Sequence, residues 1–149
     1  CTMTKKIFLM TLSFLLILTL SLSSFADQDN ASFERIELQN GYATITTFVD
    51  NVSSRASTRR ASKVYRAYNF HDELLWTYTL NGTFTYDGSS SKAIGASDTY
   101  SIIDREWSND YTSTDYSGRT VYGEAAFSCP TDDLSCHLSI TCSANGVIS

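Results

Sequence analysis

Between Leu74 and Tyr86, apolar and polar side chains alternate. Leu74, Trp76, Tyr78, Leu80, Phe84 and Tyr86 occupy one parity, and Thr77, Thr79, Asn81, Thr83 and Thr85 the other. A period of two gives a strand with one packed face and one wet face. Gly82 falls on the apolar parity, which predicts a bulge or a close backbone approach. Shorter alternations predict further strands over Glu34 to Gln39, Tyr42 to Asp50, Lys63 to Phe70, Ala93 to Ile103, Trp107 to Tyr116, Arg119 to Cys129 and Cys136 to Ser143. Turn signals punctuate them, with Asn40-Gly41 as a tight hairpin, Asp87-Gly88 and Ser117-Gly118. No stretch has helical period. The pattern predicts an all-β fold, an antiparallel β-sandwich of about seven or eight strands, with a small β-barrel as the alternative.

The last two strands allow a register to be argued. They flank the polar loop Pro130-Thr131-Asp132-Asp133-Leu134-Ser135. Pairing Cys129 with Cys136 sets Phe127 opposite Leu138, Ala125 opposite Ile140 and Gly123 opposite Cys142, so the apolar residues of both strands share one side. Directly opposed cysteines in a non-hydrogen-bonded pair lie within disulfide reach, so Cys129–Cys136 is the expected bridge. Closing so short a loop stabilises by about 2 to 3 kcal/mol. The alternative is that all three late cysteines are reduced core residues.

One segment departs from the alternating pattern. Lys5 and Lys6 precede an apolar run from Ile7 to Leu22, and Ser24-Phe25-Ala26 follows with small residues at the cleavage positions. Residues 1–26 therefore read as a secretory signal peptide, with Cys1-Thr2 lying ahead of the initiator Met3. The run is interrupted by Thr11, Ser13, Thr19 and Ser21 and falls short of the roughly 20 apolar residues of a membrane span. The expectation is a secreted, extracellular protein with no span after cleavage, whose residues 27–149 form one domain.

Nine basic and sixteen acidic residues follow position 26, a net charge of −7, which argues against nucleic-acid binding. Five of the nine, Arg55, Arg59, Arg60, Lys63 and Arg66, fall within twelve positions. Interspersed serines and threonines make the stretch near 53–63 read as a basic loop. Arg55, Arg59 and Arg60 are the candidates for docking on an anionic cell-wall polymer or headgroups.

Candidate chemistry is sparse. His71 and His137 are the only histidines, and His71-Asp72-Glu73 reads as a turn. There is no Gly-x-Ser-x-Gly, phosphate-cradling loop or dinucleotide fingerprint. Cys129, Cys136, His137 and Cys142 lack the close spacing of a zinc site, and alternation sends His137 and Cys136 to opposite faces. No metal and no cofactor is expected. Aromatics are plentiful, and Trp76, Trp107 and Tyr111 are the candidates for stacking on a sugar or a partner.

The stretch Trp76-Thr77-Tyr78-Thr79-Leu80-Asn81-Gly82-Thr83-Phe84-Thr85-Tyr86-Asp87-Gly88-Ser89-Ser90, with Trp107 and the final Cys142-Ser143-Ala144-Asn145-Gly146, resembles an uncharacterised family of small secreted proteins from Gram-positive Clostridia-type bacteria. The resemblance spans roughly 61–149. It implies a secreted β-rich domain and supplies no catalytic residue. The expected function is a non-enzymatic surface-interaction or binding protein, whose partner is a cell-wall polymer, a glycan or a host or bacterial surface protein. A carbohydrate-binding module using exposed aromatics is the second reading and a small extracellular hydrolase the third.

Overall fold

The computed structural model describes residues 31–50 and 57–149. Eight strands follow in chain order: β1 (Ser32–Leu38), β2 (Gly41–Val49), β3 (Thr58–Asn69), β4 (Leu74–Tyr86), β5 (Ser91–Ile102), β6 (Ser108–Ser117), β7 (Thr120–Cys129) and β8 (Asp132–Thr141). They form two antiparallel meanders, a five-stranded sheet β1-β2-β3-β4-β5 and a three-stranded sheet β6-β7-β8. The two sheets pack as a sandwich and do not join into a barrel. No helix is present among the described residues. The expected leader at 1–26 lies outside them.

β4 runs over the span its alternation predicts, and its apolar parity is the centre of the interior. Trp76, Tyr78, Leu80 and Phe84 are fully buried, facing Val121, Ala125 and Phe127 of β7 and Leu138 and Ile140 of β8. Trp76 stacks on Phe127 at 4.0 Å between ring centroids and on Tyr65 at 5.3 Å. Beside Gly82 the β4–β5 register shifts between Thr83 and Phe84, which leaves Ile94 of β5 as the extra residue. Gly123 answers for the spacing of the sheets: a Cβ there would lie 2.6 Å from the Tyr78 hydroxyl and 2.8 Å from Leu80.

Several expectations are corrected. The β1–β2 loop is Gln39-Asn40, with Leu38 opposite Gly41, so Gly41 is already strand. A side chain there would collide with the Tyr68 carbonyl of β3, and close approach explains the glycine. The basic stretch expected as a loop near 53–63 is strand from Thr58 onward. β4 is 13 residues long, and its backbone groups need a partner of matching length. Residues 51–56, Arg55 among them, lie outside the described residues.

The register of the last hairpin is also corrected. Cys129 pairs with Asp132 across the two-residue loop Pro130-Thr131, and Cys136 pairs with Ala125. Phe127 faces Leu134, Gly123 faces Leu138 and Val121 faces Ile140. The shift is four residues, an even number, so every side chain keeps its face. Burial alone does not distinguish the two registers; the tight turn does, by drawing Asp132 and Asp133 into the strand. Cys129 and Cys136 end about 13 Å apart along the sheet by strand rise, beyond disulfide reach. Cys129, Cys136 and Cys142 are free thiols.

Candidate functional site

Strand pairing decides where the basic residues go. Cross-strand partners in an antiparallel pair share a face. Arg59 pairs with Phe84 and Lys63 with Leu80, both core residues, so these two cations point to the inner side of the large sheet. Arg60 pairs with Thr83 and Arg66 with Thr77, which places them on the outer side. Arg59 and Arg60, adjacent in sequence, thus serve opposite surfaces.

The inner side is only partly covered, because a five-stranded sheet faces a three-stranded one. Over β2 and β3 a cleft of about 540 Å³ remains, lined by Thr47, Val49, Arg59, Lys63, the start of β1 and the chain end Asn145–Ser149. Nη1 of Arg59 donates to the Asp50 carbonyl at 3.4 Å. Its Nε is buried, and no described group accepts a hydrogen bond from it. The guanidinium also faces the Tyr86 ring, 5.9 Å from its centroid. Burial pushes the Lys63 ammonium below its ordinary value, with Glu34 opposing that shift. Two cations held in one recess, one with an unanswered donor, suit an oxyanion.

The tryptophans do not form a surface. Trp76 is fully buried and Trp107 is 8% exposed, with ring centroids 6.4 Å apart. Trp107 packs at the corner where the chain leaves the large sheet for the small one; there the amides of Ile103 and Asp104 both donate to the Leu75 carbonyl. Only Tyr111 of the three candidate aromatics is open to solvent. It shares the outer face of the small sheet with Tyr122, and between their rungs Nδ1 of His137 lies 3.3 Å from Oε1 of Glu124.

The buried cysteines are held in the unreactive thiol form. The Cys136 thiol is buried beside Tyr65 and pushed up to about 12 by desolvation, so it stays protonated. His137 lies across the sheet from it, on the outer face. Among the described residues no group of three metal-ligating side chains comes together.

No protein-family model, curated protein or solved structure matches this chain. Of the basic candidates, Arg59 lines the cleft and Arg60 lies on the other side of the sheet. Lys63 was legible by parity, because positions four apart on one strand share a face. Nothing in the sequence placed Asn145–Ser149 beside them. Tyr122, Glu124 and His137 were reachable only through the β6–β7–β8 register.

Proposed function

We propose that this is a secreted, non-enzymatic binding module that holds an anionic group of a surface partner in the Arg59–Lys63 cleft. The observation that carries the reading is the Arg59 Nε, a buried donor with no acceptor among the described residues, in a cleft that the half-buried Lys63 also lines. Leaving such a donor unpaired costs about 1 to 3 kcal/mol, and a bound oxyanion would recover it. The rest of the domain is acidic, so a basic recess also discriminates against cationic ligands.

Calorimetric titration of the purified protein with inorganic phosphate tests this. A charge-assisted hydrogen bond is worth about 1.5 to 3 kcal/mol, so Arg59→Gln should weaken binding roughly ten- to hundredfold. Arg60→Gln, on the other surface, should leave it unchanged. Equal binding by Arg59→Gln and the parent would discard the reading.

The sugar-binding alternative keeps one favourable observation. Tyr111 and Tyr122 are 45% and 48% exposed on a single face, flanking the His137–Glu124 contact. Glycan-array binding lost in Tyr111→Ala and Tyr122→Ala but retained in Arg59→Gln would favour it over the cleft.

A further inference from the structure

Strand pairing sorts the charges of the two sheets by sign. Among the described strand residues, the outer side of the large sheet carries Arg35, Arg60, Arg66 and Lys92 against one acid, Glu37. The outer side of the small sheet carries Asp110, Asp115, Glu124 and Asp133, with His137 beside Glu124. No lysine or arginine lies in β6, β7 or β8. Arg35 is answered by Glu37 at 2.8 Å. Among the described residues no carboxylate lies within ion-pair distance of Arg60, Arg66 or Lys92, and no cation within that distance of Asp110, Asp115 or Asp133.

The spacing of the two sets agrees. Arg60 and Arg66 are six residues apart on β3, about 20 Å by strand rise. Lys92 lies near the Arg60 end, since it pairs with Thr85 of β4 and Arg60 with Thr83. On the small sheet Asp115 pairs with Tyr122 of β7; six residues on, Ser128 pairs with Asp133 and its hydroxyl donates to Asp110 at 2.8 Å. Each face thus has a doubly charged end and a singly charged end about 20 Å apart.

We propose that copies of this chain stack face to face, the outer side of the small sheet of one on the outer side of the large sheet of the next. Asp110 and Asp133 then meet Arg60 and Lys92, and Asp115 meets Arg66. Exposed Tyr111 and Tyr122 offer ring faces to the guanidinium groups, as Tyr42 already does to Arg35 at 3.7 Å. The two faces lie on opposite sides of the sandwich, so the contact is heterologous and repeats without closing. Three strands of ten residues present about 33 Å by 15 Å, roughly 1,000 Å² over both partners, the size of a weak, reversible contact. In about 0.15 M salt, charges more than about 8 Å apart are screened, so the facing pairs outweigh the acidity of the whole domain.

Sedimentation equilibrium of the purified protein at about 1 mM in about 0.15 M salt tests this. The mass of the parent should rise with concentration past that of two copies and fall to the monomer's in about 1 M salt, where the screening length is about 3 Å. Arg60→Gln with Arg66→Gln weakens one face, and Asp115→Asn with Asp133→Asn the other. Each double variant alone should associate roughly tenfold more weakly or less. Mixed in equal amounts they should form one-to-one dimers and stop there, because each supplies the face the other lacks. Arg59→Gln, on the inner side, should associate as the parent does. Should either double variant not fold, the single variants Arg66→Gln and Asp115→Asn replace it. A parent that stays monomeric at about 1 mM, or association that persists in about 1 M salt, would overturn the proposal. So would a double variant that alone dimerises as strongly as the parent, by showing that one face pairs with itself.

Discussion

Arg59 carries an unanswered donor inside the fold, and on the proposed reading that donor is reserved for an anion at a cost in stability. Its Nε is buried with no acceptor among the described residues, and its side chain lies on the inner side of the sheet, opposite Phe84. Arg59→Met keeps the stem and removes the unpaired donor. It should raise the unfolding free energy by about 1 kcal/mol in urea titration while abolishing phosphate binding; a less stable variant would contradict this account. Cys136 makes a different prediction. Burial pushes its thiol from an ordinary value of 9.0 up to about 12. Above pH 9 the unfolded chain releases this proton and the folded chain keeps it, so ionisation favours the unfolded state and stability falls as pH rises from 9 to 12. Tyr65, raised from 10.0 to about 12, adds to the fall above pH 10. Urea midpoints between pH 8 and 10 should drop less in Cys136→Ala than in the parent.

Among the elements, β7 comes close to β4 at Gly123. Gly123 is buried between the Tyr78 hydroxyl, itself bonded to Asp98 at 3.1 Å, and the Leu80 methyls. Both neighbours are fully buried. Gly123→Ala should destabilise by about 1 to 3 kcal/mol, read as a lower thermal midpoint; an unchanged midpoint would show that the sheets can separate. Alternation made the faces of β4, β7 and β8 legible in the sequence, because burial selects parity. It left the β7–β8 offset open, since registers two or four residues apart bury the same side chains. The Pro130-Thr131 turn settled it and separated Cys129 from Cys136. β3 was only half legible. Its first five residues carry Arg59 and Arg60 among small polar residues, and they are strand because β4 extends beside them.

Across the whole molecule the governing fact is unequal width. Three strands cannot cover five, and the uncovered inner margin of β2 and β3 becomes the cleft. The chain end spans the gap between layers. The Cys142 carbonyl accepts from the Ser91 hydroxyl at 2.5 Å, the Gly88 amide donates to the Ala144 carbonyl at 2.8 Å, and Ser149 pairs with Thr141. Deleting Asn145–Ser149 removes two hydrogen bonds to Thr141 and three to Ser143 and should cost roughly 3 to 7 kcal/mol, at about 0.5 to 1.5 per bond. Unaltered stability would mean that this segment is not part of the fold's framework.

The sequence by itself determined the all-β class, the strand faces and the interior built on Trp76, Tyr78, Leu80 and Phe84, because a period of two and the exclusion of apolar surface from water act within each strand. It also determined that Arg59 and Lys63 would share a face once both lay on one strand. Which face that was, the interior position of Trp107 and the meeting of Asn145–Ser149 with the two cations follow from the tertiary fold alone. Those outcomes depend on how one sheet overlies another, which contacts remote in sequence decide and local periodicity does not encode.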